Sequence, residues 1–360
     1  MLTLSPTSLQ RVTQGILAAA GTPAPIAGAV ARILVGSNLA GHDSHGVLRI
    51  PTYLQMIQDG ALRPAEEPQM LRERSATALV DGRKGWGHYT AEWATTLAVR
   101  KARAAGSCTL VLRRCNHIGR LGEYAEQATA AGCVGMIVVG AGGRGRGGAA
   151  PLGGAERALG TNPYAFGVPV ESGDPFIIDF ATTVVAEGKL QVARSKGLDV
   201  PEGLILDSEG VPSTRTSAFY EGGSMLFMGG HKGYAMSLFA SLAAGLNGLF
   251  QPENWSLDGV LIQVLDPAAF LSPAEYRRTV SAFLEGIKSV RPATGSREIL
   301  YPGEPEARSR ALRREHGIEV PETIWDQLCE GAASLGLALE LREETPHGQS
   351  AALTGGDRGD

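Results

Sequence analysis

The sequence is poor in cysteine and has neither a long apolar run nor an excess of positive charge. Its four cysteines form no CxxC pair, so we expect neither a zinc site nor a redox motif, and we predict reduced, buried thiols. No segment has the length and apolarity of a membrane span, and the N-terminal stretch lacks the basic region and long apolar core of a secretory signal. A formal net charge of −4 and a pI near 6.0 argue against nucleic acid or an anionic membrane as partner. These absences favour a cytoplasmic globular protein.

Hydrophobic periodicity divides the chain into parts with different patterns. Residues 1–75 and 268–338 show apolar spacings typical of helices, whereas strand-like and helical patterns alternate over residues 76–267. We therefore predict an α/β (α+β) fold in which residues 1–75 and 268–338 form a helical domain and residues 76–267 form an α/β domain. Beyond about Arg342 large apolar residues are almost absent, so we expect residues 342–360 to be a disordered tail.

A glycine-rich loop at residues 138–148, VVGAGGRGRGG, contains the spacing G-x-G-x-x-G directly after an apolar, strand-like run. In a Rossmann fingerprint a helix begins at the last glycines, and an acidic residue follows about 20 positions later. Here Pro151 and the pair Gly153-Gly154 oppose a helix, and no strand ending in an acidic residue occurs before Glu171. We therefore predict that the loop does not bind a dinucleotide.

Three short motifs place a histidine beside glycine: GHDSHGVLR (residues 41–49), NHIGRLGEY (116–124) and GGHKGYA (229–235). Glycine allows a ligand to approach the backbone closely, and histidine gains or loses a proton near neutral pH. We therefore expect the three motifs to meet at one site, and we assign structural roles to His42 and His316. No helical HExxH motif accompanies the neighbouring His42, Asp43 and His45, so we expect no catalytic metal.

The same motifs contain the groups that a 2-oxo acid requires. Arg49 suits a carboxylate because its guanidinium is planar, and a histidine can exchange a proton with the carbonyl oxygen. The sequence does not favour acyl transfer. It has no G-x-S-x-G elbow, and apart from the adjacent His45 nothing around Ser44 indicates a catalytic nucleophile. No side chain supplies a hydride, so a reductase of this kind needs a nicotinamide cofactor.

Six motifs, in the order in which they occur here, resemble those of the malate/L-lactate dehydrogenase family of the second type. They are GHDSHGVLRIPTY, NHIGRLGEYAEQA, LGTNPYAFGVP, IIDFATT with the later EGK, GHKGYA and PGEPEARSR. This non-Rossmann family includes sulfolactate, ureidoglycolate and diketogulonate enzymes and an imino-acid reductase. The resemblance implies a mostly antiparallel sheet flanked by helices, an NAD or NADP site in the α/β domain, and a homodimer.

The resemblance also implies roles for individual residues. His117 would be the catalytic proton donor and acceptor, with Ser44 and Arg49 beside it. His45, Arg49, Thr161 and Asn162 would line the substrate. The implied cofactor contacts are His45, Gly119, Arg120, Leu121, Ile177, Ile178, Asp179, Phe180, Ala181, His231, Lys232, Gly233, Gly303, Glu304, Pro305 and Glu306.

Together these observations favour a 2-hydroxycarboxylate dehydrogenase that reduces a small 2-oxo acid. Two alternatives stay open: a cyclic imino-acid reductase on the same scaffold, and a homologue that binds ligands without catalysis. The intact His117, Arg49 and Asp179 argue against the second alternative. The chain departs from the family in the glycine loop, which replaces a Thr-Asn-Ser type segment, and at His88, where a smaller or amide residue is expected. His88 is either a substrate contact or a surface residue, and of the two we favour the surface residue.

Overall fold

The computed structural model describes residues 1–345 and 348–355, which form eleven α-helices and fifteen strands. The helices are α1 (Pro6–Ala19), α2 (Ala24–Leu39), α3 (Ile50–Gln58), α4 (Gly87–Ala105), α5 (Gly122–Ala130), α6 (Glu187–Ser195), α7 (Thr216–Tyr220), α8 (His231–Ala244), α9 (Pro273–Lys288), α10 (Glu304–His316) and α11 (Glu322–Ser334). The strands are β1 (Leu2–Leu4), β2 (Gln69–Glu73), β3 (Thr77–Asp81), β4 (Ser107–Arg113), β5 (Val134–Gly142), β6 (Tyr164–Val168), β7 (Phe176–Phe180), β8 (Ile205–Leu206), β9 (Pro212–Ser213), β10 (Ser224–Met225), β11 (Phe250–Gln251), β12 (Ser256–Leu265), β13 (Ile318–Val320), β14 (Leu337–Thr345) and β15 (Gly348–Gly355). Over these ranges, none of the helices combines the length and apolarity needed to cross a membrane.

The centre of the fold is an eight-stranded sheet in the order β2-β3-β4-β12-β5-β6-β7, with β11 paired to β12. Neighbouring strands run antiparallel, except that β3 and β4 are parallel. This confirms the mostly antiparallel sheet and differs from the largely parallel sheet of a Rossmann fold.

The side chains of this sheet alternate between two apolar cores, because successive residues of a strand point to opposite faces. On β12, Val260, Ile262 and Val264 belong to the core that also contains residues of α4 and α5. Leu261, between them, packs in a second cluster with Ala240 of α8. Helices therefore cover the sheet on both faces, which confirms the α/β (α+β) class.

The terminal parts of the chain build a separate core that is not purely helical. Residues of α1, α2, α3 and α11 pack together there, beside a four-stranded sheet in the order β13-β1-β15-β14. Of the tail expected to be disordered, residues 342–345 and 348–355 belong to the β14–β15 hairpin, and Ala351 is fully buried. That expectation was wrong because small or single apolar residues are enough for a strand with one buried face. Residues 346–347 and 356–360 of the expected tail lie outside the described residues.

The predicted division into two domains stays a prediction. The elements after residue 267 divide their contacts between the terminal core and the α/β part. Leu328 of α11 lies in the terminal core. Helix α9 is instead tied to the α/β part by a hydrogen bond of 3.0 Å from Glu171 N to Ser281 Oγ. A third, smaller cluster around Leu190 and Phe219 joins α6 and α7 to β8 and β10.

The glycine loop serves the packing of α8 on the sheet. Strand β5 continues through Gly142, and a turn follows it where a dinucleotide fingerprint requires a helix. A Cβ at position 140 would overlap the carbonyl oxygen of Ala240, and one at position 147 would overlap that of Leu159. The missing helix agrees with the prediction from the sequence, and the glycines are explained by close backbone contacts.

We expect Gly140→Ala to push α8 away from β5 and to destabilise the protein by about 1–3 kcal/mol, because the added methyl group meets backbone. A lower midpoint in thermal melting measures this. The matched control is Gly286→Ala in α9, where an added Cβ meets nothing within 4 Å and improves helix propensity. Equal midpoints for the two variants would contradict the close approach.

Candidate active site

Two histidines from different motifs lie face to face. His45 ends the 3-10 turn Asp43–His45, and His117 lies in the loop between β4 and α5. Their rings stack with centroids 5.8 Å apart and an interplanar angle of 18°. His117 is accessible to solvent on one side, while His45 is half-buried. The structure thus brings the first and second motifs together.

The loop of His117 is held by an asparagine and by close contact with α4. Asn116 donates from Nδ2 to the carbonyl oxygens of Lys84 at 2.8 Å and Gly85 at 3.1 Å, just before α4. A side chain at Gly87, the first residue of α4, would overlap the carbonyl oxygens of Asn116 and His117. The glycine therefore allows the start of α4 to touch the loop.

The turn that carries His45 is held from two sides. The side chain of Asn38 accepts a hydrogen bond from Val47 N at 3.0 Å and donates to Asp43 Oδ1 at 2.7 Å. Arg313 of α10 donates to both carboxylate oxygens of Asp43, at 2.6 and 2.9 Å. Asp43 is thus a structural anchor for the turn.

His88 is buried, so its interpretation as a surface residue was wrong. It is the second residue of α4, it is 0% exposed, and its ring lies 5.9 Å from that of His117. The hydroxyl of Tyr53 stands between the two rings, 2.7 Å from His117 Nδ1 and 3.4 Å from His88 Nε2. No sequence pattern singled out Tyr53, although it follows Arg49 by one helical turn. We call His45, Tyr53, His88 and His117 the histidine cluster.

All three histidines of the cluster are held neutral. Burial, with a smaller effect of His45, lowers the pKa of His88 to about 3. Burial and then the charge of Arg49 lower the pKa of His45 to about 4. Desolvation by the surrounding protein, followed by the electrostatic effects of His88, His45 and Arg49, lowers the pKa of His117 well below its usual value. Because unfolded histidine titrates near 6.5, acidification from about 6.5 towards 4 and 3 reduces the stability of the folded state.

Arg49 stands beside the cluster with its outer nitrogens free. Its Nε donates to the carbonyl oxygen of Ser44 at 2.7 Å, and in the described part of the chain Nη1 and Nη2 have no hydrogen-bond partner. Ser44 Oγ lies 3.0 Å from His45 Nδ1. The start of α6 packs against Ser44, since a Cβ at Gly188 would lie 2.7 Å from the Ser44 Cβ. The two Nη groups of Arg49 therefore form an available planar pair of donors.

A second group of polar residues lies between the start of α5 and β7. Arg120 is 2% exposed and donates from Nη2 to Glu126 at 2.6 Å, but among the described residues its Nε and Nη1 have no partner. Asp179 accepts a hydrogen bond of 2.7 Å from Gly122 N, and burial raises its pKa against the opposing charge of Arg120. Buried donors without partners are costly. A polar ligand group placed here would relieve that cost.

Three predicted segments meet around β7: residues 177–181, 231–233 and 303–306. Ile177 N donates to the carbonyl oxygen of Pro302 at 2.9 Å, which joins β7 to the start of α10. A Cβ at Gly233 would lie 2.7 Å from the carbonyl oxygen of Thr182, which joins the start of α8 to the other end of β7. Ile177 and Phe180 pack in opposite cores, so only some residues of the first segment can face a ligand.

The third motif does not add its histidine to the cluster. His231 and Lys232 are exposed in the first turn of α8, and His88 takes the third place in the cluster instead. His42, to which we assign a structural role, has Nε2 at 3.2 Å from Glu306 Oε1. Across the described ranges, no three side chains of histidine, cysteine, aspartate or glutamate are arranged to hold a metal ion.

The polar side-chain atoms of Asn162 and Glu304 form hydrogen bonds within the protein. Asn162 is 1% exposed, donates to Ser237 Oγ at 2.8 Å and accepts from Ala141 N at 2.9 Å. Glu304 accepts from Tyr301 N at 2.9 Å and pairs with a lysine of α9. This geometry does not support the expected contact of Asn162 with substrate or of the Glu304 carboxylate with cofactor. Both residues hold neighbouring backbone in place.

Known proteins are similar in sequence and fold over nearly the whole chain. Residues 4–329 match the sequence profile of the family described as malate/L-lactate dehydrogenase. The chain is 33% identical to hydroxycarboxylate dehydrogenase B of Escherichia coli O157:H7 over 344 residues, which is 92% of this chain and 94% of that protein.

Two solved structures extend the comparison to the fold. The sulfolactate dehydrogenase of Methanocaldococcus jannaschii has a TM-score of 0.83 and 32% identity, with 93% of this chain and 98% of that chain covered. The delta1-piperideine-2-carboxylate reductase of Pseudomonas syringae pvar. tomato has a TM-score of 0.79 and 29% identity, with 92% and 100% covered. The motifs, the antiparallel sheet and these matches agree, and the chain belongs to the malate/L-lactate dehydrogenase family.

Proposed function

We propose that the protein is an NAD- or NADP-dependent 2-hydroxycarboxylate dehydrogenase that interconverts a 2-oxo acid and a 2-hydroxy acid. The observation that carries the proposal is the free guanidinium fork of Arg49 beside the neutral, solvent-accessible ring of His117. The fork suits a carboxylate, and the ring suits the oxygen on the adjacent carbon. Membership in a family of dehydrogenases supports this reaction type.

The residues around β7 suit a nicotinamide cofactor. Arg120 Nε and Nη1 are buried donors without partners in the described chain, and they would serve a carboxamide or phosphate oxygen. Gly119 and Gly303 have φ of 73° and 107°, which favours glycine, and a Cβ there would lie 2.9 Å from the His88 ring and 2.5 Å from the carbonyl oxygen of Pro175. We assign the cofactor contacts to these residues, to Asp179 and to His45. When bound, the nicotinamide supplies or accepts the hydride.

His117 is the proposed proton donor and acceptor. Its Nδ1 is held by the Tyr53 hydroxyl at 2.7 Å, so Nε2 is the nitrogen left for the substrate. In reduction the doubly protonated ring gives its Nε2 proton to the carbonyl oxygen and keeps the proton on Nδ1, and in oxidation the bare Nε2 takes the proton of the hydroxyl group. The stacked ring of His45, anchored through Ser44, limits rotation of the His117 ring.

Arg49 is proposed to bind the carboxylate and thereby to tune His117. After burial and the neighbouring histidines, the charge of Arg49 is among the causes that lower the pKa of His117. A carboxylate bound to Arg49 offsets that charge, so substrate binding raises the pKa of His117 towards its usual value. The doubly protonated form of His117 is therefore more stable when the substrate is bound.

Replacing His117 by Gln removes the proton donor but keeps a polar side chain. We expect kcat to fall about 10²- to 10⁴-fold, with little change in cofactor affinity. Steady-state kinetics, a fluorescence titration with NADH or NADPH and a thermal melt measure the three effects. A variant with normal turnover would show that another group supplies the proton, and parallel losses of stability and cofactor binding would show a structural role.

Arg49→Lys keeps the charge but loses the planar fork. We expect KM for a 2-oxo acid to rise about 10- to 100-fold, because hydrogen bonds to a charged group are lost, while cofactor affinity stays the same. Arg278→Lys, an exposed position on α9, is the matched control. An unchanged KM in Arg49→Lys would place the carboxylate elsewhere.

A second candidate reaction is the reduction of a cyclic imino acid, favoured by the fold match to delta1-piperideine-2-carboxylate reductase. Such a substrate keeps the carboxylate for Arg49 and presents nitrogen, in place of oxygen, to His117. Product analysis with a panel of 2-oxo acids and cyclic imino acids, each with NADH and with NADPH, distinguishes the two reactions. A homologue that only binds ligands would turn over none of them.

We further propose that the protein is a cytoplasmic homodimer. Helix α8 and the 3-10 turn Gly245–Asn247 that follows it present an apolar stripe in which Leu238, Leu242 and Leu246 recur every four residues, with Phe239 beside them. Leu242 and Leu246 are each 67% exposed. A surface of this kind is typical of an interface, and a second copy would cover it. The four cysteines are free, which suits a reducing compartment.

Leu242→Glu should convert the dimer to a monomer, because the interface would bury an unpaired charge. Sedimentation velocity of the wild type and the variant measures the change. Leu312→Glu, at an exposed leucine of α10, is the control and should leave the dimer intact. A monomeric wild type, or a dimer that survives Leu242→Glu, would rule out this interface.

A further inference from the structure

The Tyr53 hydroxyl links two histidine rings in a hydrogen-bonded chain. One end of this hydrogen-bonded chain is closed, because it stops at a buried nitrogen without a partner. Its oxygen lies 2.7 Å from His117 Nδ1 and 3.4 Å from His88 Nε2. The far nitrogen of His88, Nδ1, is buried and has no partner among the described residues. The chain Nε2(His88), hydroxyl of Tyr53, Nδ1(His117) therefore opens only towards Nε2 of His117, whose ring is accessible to solvent.

The closed end decides where the protons lie. A neutral histidine carries one proton, and on Nδ1 of His88 that proton would be a buried N–H donor without an acceptor, which is rare in proteins. With the proton on Nε2, His88 donates to the Tyr53 oxygen. The single proton of Tyr53 is then free to donate to His117 Nδ1, so the proton of His117 is left on Nε2.

We infer that His88, acting through the Tyr53 hydroxyl, holds the proton of neutral His117 on Nε2 and is a positioning residue. The catalytic meaning of this inference rests on the proposed function: in the neutral ring, Nε2 donates a hydrogen bond to the substrate carbonyl oxygen that we assign to it. The location of the proton itself does not depend on any substrate.

The same chain opposes the uptake of a second proton by His117. A doubly protonated His117 donates from Nδ1 to Tyr53. The Tyr53 proton then either has no acceptor among these groups or goes to His88 Nε2, which forces the His88 proton onto its partnerless Nδ1. The other charged or titratable groups that face His117 are His45 and Arg49. Neither contacts the closed end of the chain. A glutamine at position 88 removes this constraint, because its amide either donates to Tyr53 or accepts from it.

Long-range ¹H–¹⁵N spectra of the full-length protein, recorded without cofactor or substrate, test the inference directly, because protonated and bare ring nitrogens have well separated shifts. The His117 signals are identified from their loss in His117→Gln. Near neutral pH we expect the wild type to carry the proton on Nε2. In His88→Gln we expect a mixture of both tautomers and a His117 titration midpoint higher by about 1–2 pH units, since the cost of an orphaned donor is removed.

Two further variants separate positioning from a general loss of structure. Tyr53→Phe should also release the tautomer preference, whereas His316→Gln, at the exposed end of α10, should change neither the tautomer nor the midpoint. The pH profile of kcat/KM reports ionisations of the free enzyme. In His88→Gln its His117 limb should shift in the same direction as the His117 titration midpoint. Thermal melts of all variants check folding.

A wild type with the His117 proton on Nδ1 overturns the inference, even if His88→Gln fails to fold. So does a folded His88→Gln with the wild-type tautomer and midpoint. Failure of the proposed function has a different signature: the spectra would follow expectation while no 2-oxo or imino acid is turned over.

Discussion

The first turn of α4 approaches the loop of His117 so closely that position 87 has no room for a side chain. This contact places His88 beside His117 and allows Asn116 to bond the backbone just before α4. It also joins two cores, because Trp86 belongs to the terminal core while β4, which leads to His117, belongs to the sheet core. The proposed site therefore lies where the two cores meet, and its geometry depends on both.

The proposed site has two parts, one around Arg49 and one around β7, and the charge of Arg120 affects groups in both. Around Arg49 the histidines are neutral, so positive charge is concentrated on a guanidinium suited to a carboxylate. Around β7 the carboxylate of Asp179 is buried beside Arg120. The charge of Arg120 acts on both His45 and Asp179, and so it couples the proposed substrate and cofactor parts.

Much of the fold follows from local patterns in the sequence. The apolar run Val260–Ile262 and the helical spacing before Gly106 are visible in the sequence, and the structure has a strand and a helix there. The β14–β15 hairpin was missed because its residues gain strand structure only by pairing with each other and with β1. The helix missing after the glycine loop was predicted correctly from Pro151 and the glycines after it, but the reason for Gly140 lies on α8, about 100 residues away.

For the site, the sequence by itself determined the chemical types: histidine beside glycine in the loops of His45 and His117, and a planar cation at Arg49. It also determined the family, through six ordered motifs. Only the tertiary structure decided which groups meet. His88 was interpreted as a surface residue and is buried in the cluster, Tyr53 was overlooked, and Asn162 faces Ser237 in the interior. The physical reason is that burial and hydrogen-bond pairing are properties of contacts between distant segments, such as α3, α4 and the loop after β4, and no local pattern specifies which side chains those contacts enclose.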